Sequence, residues 1–122
     1  MQKVILIEDD SSLQRVLRIM LERLGFEVDT YEGRRSALEA DFSEAPDIVL
    51  TDIFMPEVEG METIRTFRKR FPDSHVIAMS GGVPGIEPHR VLNWARELGA
   101  NHTLTKPFTP AALWDALESR IG

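Results

Sequence analysis

The sequence contains no cysteine, a single tyrosine, and fewer cationic than anionic side chains, 14 Lys and Arg against 20 Asp and Glu. Without cysteine there is no disulfide framework and no thiolate metal site, which fits a cytoplasmic location. The formal charge of −6 offers no basic footprint for direct contact with nucleic acid. No uninterrupted apolar run approaches the ~18 residues that a membrane span needs, and Met1-Gln2-Lys3 leads straight into a hydrophobic run without a signal-peptide pattern. Proline and glycine are at ordinary levels, 7 and 8 among 122 residues, and 43% of residues are hydrophobic. That balance excludes a disordered chain and fits one globular domain over residues 1–122, expected as a monomer or weak dimer without membrane contact.

What is present is an alternation of two periodicities. Val4-Ile5-Leu6-Ile7, Ile48-Val49-Leu50 and Val76-Ile77-Ala78-Met79 are β-branched apolar runs too short for helices. Because they are continuous rather than alternating, they predict strands covered on both faces. Between the first two, Leu13, Val16, Leu17, Met20, Leu21 and Leu24 recur at helical spacing, with Arg15, Arg18, Glu22 and Arg23 opposite and Gly25 as the stop. Phe26 to Thr30 alternates as a more marginal strand. Helices are predicted over Arg34–Phe42, Met61–Phe71 (stopped by Pro72), Pro88–Leu98 (stopped by Gly99) and Ala111–Ile121, the last with Thr109 as cap and Pro110 at its first position. Asn101–Thr105 completes five strands. Five strands alternating with five helices make an α/β fold, a doubly wound parallel sheet, since right-handed crossovers put helices on both faces.

In an open parallel sheet the ligand site lies outside the carboxyl ends of the strands. The residues there are Glu8-Asp9-Asp10, Asp52, Ser80-Gly81-Gly82 and Lys106-Pro107. Each alone has an ordinary structural reading: Asp10 as a helix cap, Asp52 as a turn residue, Ser80 as a loop hydroxyl before the fourth helix, Lys106 as a surface charge. Independent caps and turns, however, have no reason to gather acids, a hydroxyl and a lysine at one edge. Carboxylates brought together there repel and call for a hard cation. Mg²⁺, which binds one or two carboxylates and keeps places for water and phosphate oxygens, suits the set. An aspartate held against such an ion and a lysine can act as a nucleophile toward phosphorus, with Ser80 bonding a phosphoryl oxygen.

Taken together, the segments ILIEDD, PDIVLTDIFMPEVEG, VIAMSGG and LTKPF resemble the receiver domain of two-component response regulators, over nearly the whole chain. The resemblance implies a flavodoxin-like, five-stranded sheet in the order 2-1-3-4-5 with five helices. It implies Asp52 as phosphoacceptor, assisted by Lys106 and Ser80, and Mg²⁺, with Mn²⁺ as its substitute. Asp9 and Asp52 would hold the metal directly and Glu8 through water, together with the backbone carbonyl of Phe54. Asp10 becomes a bystander and cap, and the peptide before Pro107 is expected to be cis. The phosphoryl group would come from a sensor histidine kinase or phosphotransfer protein, and the α4-β5-α5 surface would pass the change to an unknown downstream protein. Such a domain assists its own phosphorylation and dephosphorylation but is not otherwise an enzyme.

The departures from that family matter too. Thr103 stands where many receivers carry a switching aromatic. The Ser80–Lys106 interval is longer than in many of them, the extra residues falling in the glycine- and proline-rich stretch from Gly81 to Pro88, which reads as a lid, a docking element or a tolerated insertion. Phe54 and Gly82 offer no polar side chain to an attacking water, so self-dephosphorylation is expected to be slow. The alternative is a receiver fold serving as a scaffold; a phosphate-ester hydrolase lacks a second acid, since Phe54 stands two residues after Asp52. Elsewhere His75, His89 and His102 lack metal-site spacing, Arg65, Arg68, Lys69 and Arg70 read as a solvated helix face, Trp94 as part of a core stripe with Val91, Ala95 and Leu98, and Trp114 as a helix margin.

Overall fold

The computed structural model describes residues 2–40, 44–53, 58–81, 85 and 87–118, except for the side chains at 34, 35, 38, 58–61, 88 and 92. Within these, β1 (Lys3–Ile7), β2 (Glu27–Tyr31), β3 (Ile48–Asp52), β4 (His75–Ser80) and β5 (His102–Thr105) alternate with α1 (Ser11–Arg23), α2 (Arg34–Glu39), α3 (Val58–Arg70), α4 (Pro88–Glu97) and α5 (Pro110–Glu118). All four strand pairings are parallel, and the sheet order is β2-β1-β3-β4-β5. This is the doubly wound, flavodoxin-like arrangement expected. No helix among the described residues is long and apolar enough to cross a membrane.

Strand composition follows position in the sheet. The continuous apolar runs form the central strands: β3 and β4 are buried throughout, and β1 from Val4 onward. The marginal strand, β2, lies at one edge with Glu27 exposed, and β5 lies at the other. Side chains alternate across the sheet. Val4 and Leu6 of β1 pack with Leu17 and Leu21 of α1 and with Leu113 and Leu117 of α5. Ile5 and Ile7 pack on the opposite face with Ile64 and Phe67 of α3 and with Val91 and Ala95 of α4. Each fully buried Leu or Phe contributes roughly 1.5–3 kcal/mol.

The helix ends obey their local chemistry. Asp10 caps α1, its Oδ1 accepting from Ser12 N at 3.0 Å and Leu13 N at 3.1 Å. Beyond the helix Gly25 takes φ +95°, a left-handed turn that suits glycine. Thr109 Oγ1 accepts from Ala112 N at 3.1 Å, so the expected cap of α5 is in place. Some boundaries differ from the sequence reading: α3 starts at Val58 rather than Met61, and Ser80 is the last residue of β4 rather than a loop residue. The ends expected at Phe42 and Ile121 lie outside the described residues.

Three packing expectations are corrected. The α1 stripe is narrower than its periodicity, since only Leu17 and Leu21 are buried while Val16 is 53% exposed. Val16 lines an apolar groove of about 470 Å³ with Leu13, Met20, Pro107 and Phe108, between α1 and the β5–α5 connection. Trp94 is not core but 36% exposed, with the Arg90 guanidinium 5.8 Å from its ring centre. Arg68 is half-buried rather than solvated. Its guanidinium donates to the carbonyls of Gly99, Pro72 and Ser74 at 2.8–3.1 Å and to the Asn101 side chain, joining the end of α3 to the α4–β5 turn. A methyl group at Gly99 would stand 2.9 Å from Arg68 Cγ, and φ is +123° there, so glycine is required twice over.

Candidate functional site

Register brings the polar residues together. Ile7 pairs with Thr51 and Asp52 with Met79, so Glu8, one step past β1, stands beside Asp52 at the end of β3. Ser80 pairs with Thr105 at the ends of β4 and β5, and the Ser80 carbonyl accepts from Lys106 N at 2.9 Å. The Lys106–Pro107 peptide is cis, as the family resemblance implied. Ser80 is fully buried at this edge.

Glu8 is 1% exposed, an unusual burial for a carboxylate. Its Oε2 accepts from Lys106 Nζ at 2.8 Å and its Oε1 from Asp10 N at 3.2 Å. The same ammonium lies 3.0 Å from Asp52 Oδ1, as an ion pair. Asp52 Oδ1 is therefore buried, with the Lys106 ammonium as its cationic neighbour and no aligned hydrogen-bond donor among the described residues. Glu8, Asp9 and Asp52 each place a carboxylate oxygen within 4.8 Å of the others, with Asp9 exposed above two buried partners.

The electrostatics follow from three carboxylates sharing one ammonium. Burial pushes the Asp52 carboxyl up from 3.8 to about 6; the charge of Glu8 adds to this, Lys106 opposes it, and Asp9 adds a smaller push. For Lys106 burial acts downward, but the bond to Glu8 and the charge of Asp52 outweigh it and the ammonium is held above its usual range. The residues fit a hard divalent cation on their own chemistry. Every donor is an oxygen, the negative charge is in excess, and one buried oxygen lacks an aligned donor among the described residues.

The sequence-predicted Glu8, Asp9, Asp52, Ser80 and Lys106 thus share one strand edge, whereas Asp10 is occupied as the α1 cap. Phe54, expected to offer its carbonyl, and Gly82 lie outside the described residues, as does most of the stretch between Gly81 and Pro88. Two of the histidines are engaged away from the acidic cluster: His75 bonds the Ala116 carbonyl at 3.0 Å, and His89 pairs with Glu87. Sequence reasoning did not single out Gln14, whose Nε2 donates to the Glu8 carbonyl at 3.1 Å and to the Tyr31 carbonyl at 3.2 Å. The available signal was a polar residue three and seven positions before Leu17 and Leu21, on the buried side of α1.

A family model described as the response regulator receiver domain matches residues 4–118. The chain belongs to that family. It is a receiver domain of the two-component response regulators. One relative is a homologue of the transcriptional regulatory protein CpxR from Haemophilus influenzae, 37% identical over 113 residues, covering 93% of this chain and 47% of that protein. The chain spans less than half the length of the first curated relatives it matches. A CheY-like receiver from Methanospirillum hungatei has the same fold, with a TM-score of 0.84 at 21% identity over 99% of this chain and 94% of that one. The response regulator TrrA of Thermotoga maritima, solved in complex with Mg²⁺ and BeF, matches with a TM-score of 0.80 at 25% identity, covering 98% of this chain and 99% of that one.

Proposed function

We propose that this receiver is a phosphorylation switch in which Asp52 accepts a phosphoryl group from a histidine kinase or a phosphotransfer protein. The observation that carries the reading is the buried Asp52 carboxylate, 3.0 Å from the Lys106 ammonium and within 4.8 Å of two further carboxylates. At neutral pH and above, a carboxyl titrating at about 6 is still mainly ionised and therefore nucleophilic. One Asp52 oxygen bonds to phosphorus while the bond from phosphorus to the donor's imidazole nitrogen breaks, the electron pair leaving with that nitrogen. Lys106 supplies positive charge beside the transferred oxygens, and the Ser80 hydroxyl hydrogen-bonds one of them.

Asp9, Asp52 and Glu8 are the residues that would hold Mg²⁺ or Mn²⁺, with the Phe54 carbonyl completing the protein's ligands. When bound, the ion neutralises the acidic cluster and polarises phosphoryl oxygens. TrrA's complex with Mg²⁺ and BeF supports this assignment by kinship. The domain acts as a phosphoacceptor that assists its own modification rather than as an enzyme on a separate substrate. A kinase partner implies the cytoplasm.

Output passes through α4, β5 and α5 to a downstream protein, where Trp94 and Trp114, 36% and 41% exposed, offer large apolar contacts. The domain itself contacts no nucleic acid and is monomeric or weakly dimeric. Incubation with Mg²⁺ and a small phosphodonor, followed by intact mass, should show one added phosphate that is absent from Asp52→Ala. No adduct on the wild type would overturn the reading. Decay of that adduct over much longer than seconds is the outcome expected from Phe54 and Gly82.

A second reading is favoured by Thr103, half-buried on β5 where receivers often place an aromatic: a scaffold with little phosphorylation-driven change. Beryllofluoride with Mg²⁺ separates the two. The switch requires altered amide exchange in α4 and altered Trp94 fluorescence, and the scaffold requires neither.

A further inference from the structure

The acidic turn is held from one side by a residue that no part of the phosphoacceptor chemistry uses. Gln14, half-buried in the first turns of α1, donates from Nε2 to the Glu8 carbonyl at 3.1 Å and to the Tyr31 carbonyl at 3.2 Å. Both partners only accept, so the amide must face them with its NH₂ end, and both hydrogens are used. Tyr31 O also accepts from Glu8 N at 3.0 Å. One carboxamide therefore ties together the end of β1, the end of β2 and the start of α1.

That tie matters because of what it frames. Among the described contacts no hydrogen bond or ion pair holds the Asp9 carboxylate. Asp9 stands within 4.8 Å of its acidic neighbours because the backbone on either side puts it there. On its C-terminal side that backbone is fixed by the Asp10 cap and by Gln14 N donating to the Asp10 carbonyl at 2.8 Å. On its N-terminal side it is fixed by the two bonds of the Glu8 peptide groups, one of which is Gln14's.

We infer that Gln14 is a positioning residue for the divalent-cation site, setting the Glu8–Asp9 backbone so that both carboxylates converge with Asp52. The inference rests on the metal-assisted reading above. Groups that orient metal ligands typically account for 10–100-fold in affinity.

Isothermal titration calorimetry with Mg²⁺, well below the unfolding temperature, compares wild type with Gln14→Met, which keeps length and helix propensity but removes both donors. Gln14→Arg restores donors at the same place. Thermal unfolding without Mg²⁺ is recorded for each. The expected result is a Kd at least tenfold weaker for Gln14→Met and recovery to within threefold for Gln14→Arg. A purely structural role would lower the unfolding temperature and leave Kd of the folded protein unchanged, so Gln14→Met binding within twofold of wild type overturns the inference. If Gln14→Met does not fold, Gln14→Arg decides: a stable Arg variant that still binds tenfold more weakly overturns it. Failure of the wild type to bind Mg²⁺ sinks the metal-assisted reading itself, which is a distinguishable outcome.

Discussion

The two ends of this sheet solve opposite problems. At the amino edge Arg68 meets three backbone carbonyls and a side-chain amide. At the carboxyl edge three carboxylates gather, two of them paired with the Lys106 ammonium, and a buried oxygen of Asp52 has no aligned donor among the described residues. Both ends are made of polar groups in or near the core. The difference is that, among the described residues, the first is satisfied by the chain's own atoms and the second is not. Buried charge without full compensation is costly, so a fold that retains it at one edge while satisfying its polar groups at the other marks where binding and chemistry belong.

The largest test of this contrast neutralises Asp52. A folded-state value of about 6 against 3.8 corresponds to about 3 kcal/mol of destabilisation by the ionised group. Because the folded value lies above the unfolded one, the folded protein takes up the proton first as pH falls. The penalty is thus full above about pH 6 and relieved between there and 3.8. Asp52→Asn should therefore be more stable than wild type in metal-free buffer at pH 7.5, by up to about 3 kcal/mol. The advantage should vanish near pH 4, as read from denaturant unfolding at a series of pH values.

At the other edge the sign reverses. Arg68→Ala removes donors from several partly buried acceptors and should cost about 2 kcal/mol. Its Mg²⁺ affinity, read by calorimetry, should match that of the wild type, since nothing in the guanidinium's contacts reaches the acidic cluster. The smallest effect belongs to Asp10, the acid that looks like its neighbours but serves α1. Asp10→Ala should lower stability by about 1 kcal/mol through loss of the cap, measured in the same unfolding experiment.

Much of this contrast was legible in the residues. The central strands announced themselves as short, continuous apolar runs because burial on both faces removes the alternation that an exposed face would impose. The acids, Ser80 and Lys106 were legible as a set because parallel strands deliver their carboxyl ends to one edge. The amino-edge clamp was not, because Arg68 meets Gly99 and Asn101 across 31 and 33 positions of chain, and a charged residue in a basic run gives no sign of carbonyls so far away. Helix periodicity placed Val16 and Trp94 on buried stripes. A stripe states only where apolar side chains lie, and its buried width depends on the neighbour: beside Val16 that neighbour leaves a groove. Gln14 escaped notice for a related reason, since its partners are backbone carbonyls that carry no residue identity. Phe54 entered through family resemblance alone, since the role that the resemblance implies for it rests on a backbone carbonyl.

The central claim is that the carboxyl edge is destabilised by charge that a divalent cation relieves. Thermal unfolding of wild type and Asp52→Asn, titrated side by side with Mg²⁺ at pH 7.5, tests it most directly. The account requires Asp52→Asn to start higher and wild type to climb with Mg²⁺ until the gap closes. A wild type that neither lags its variant without the metal nor gains from adding it would contradict the account.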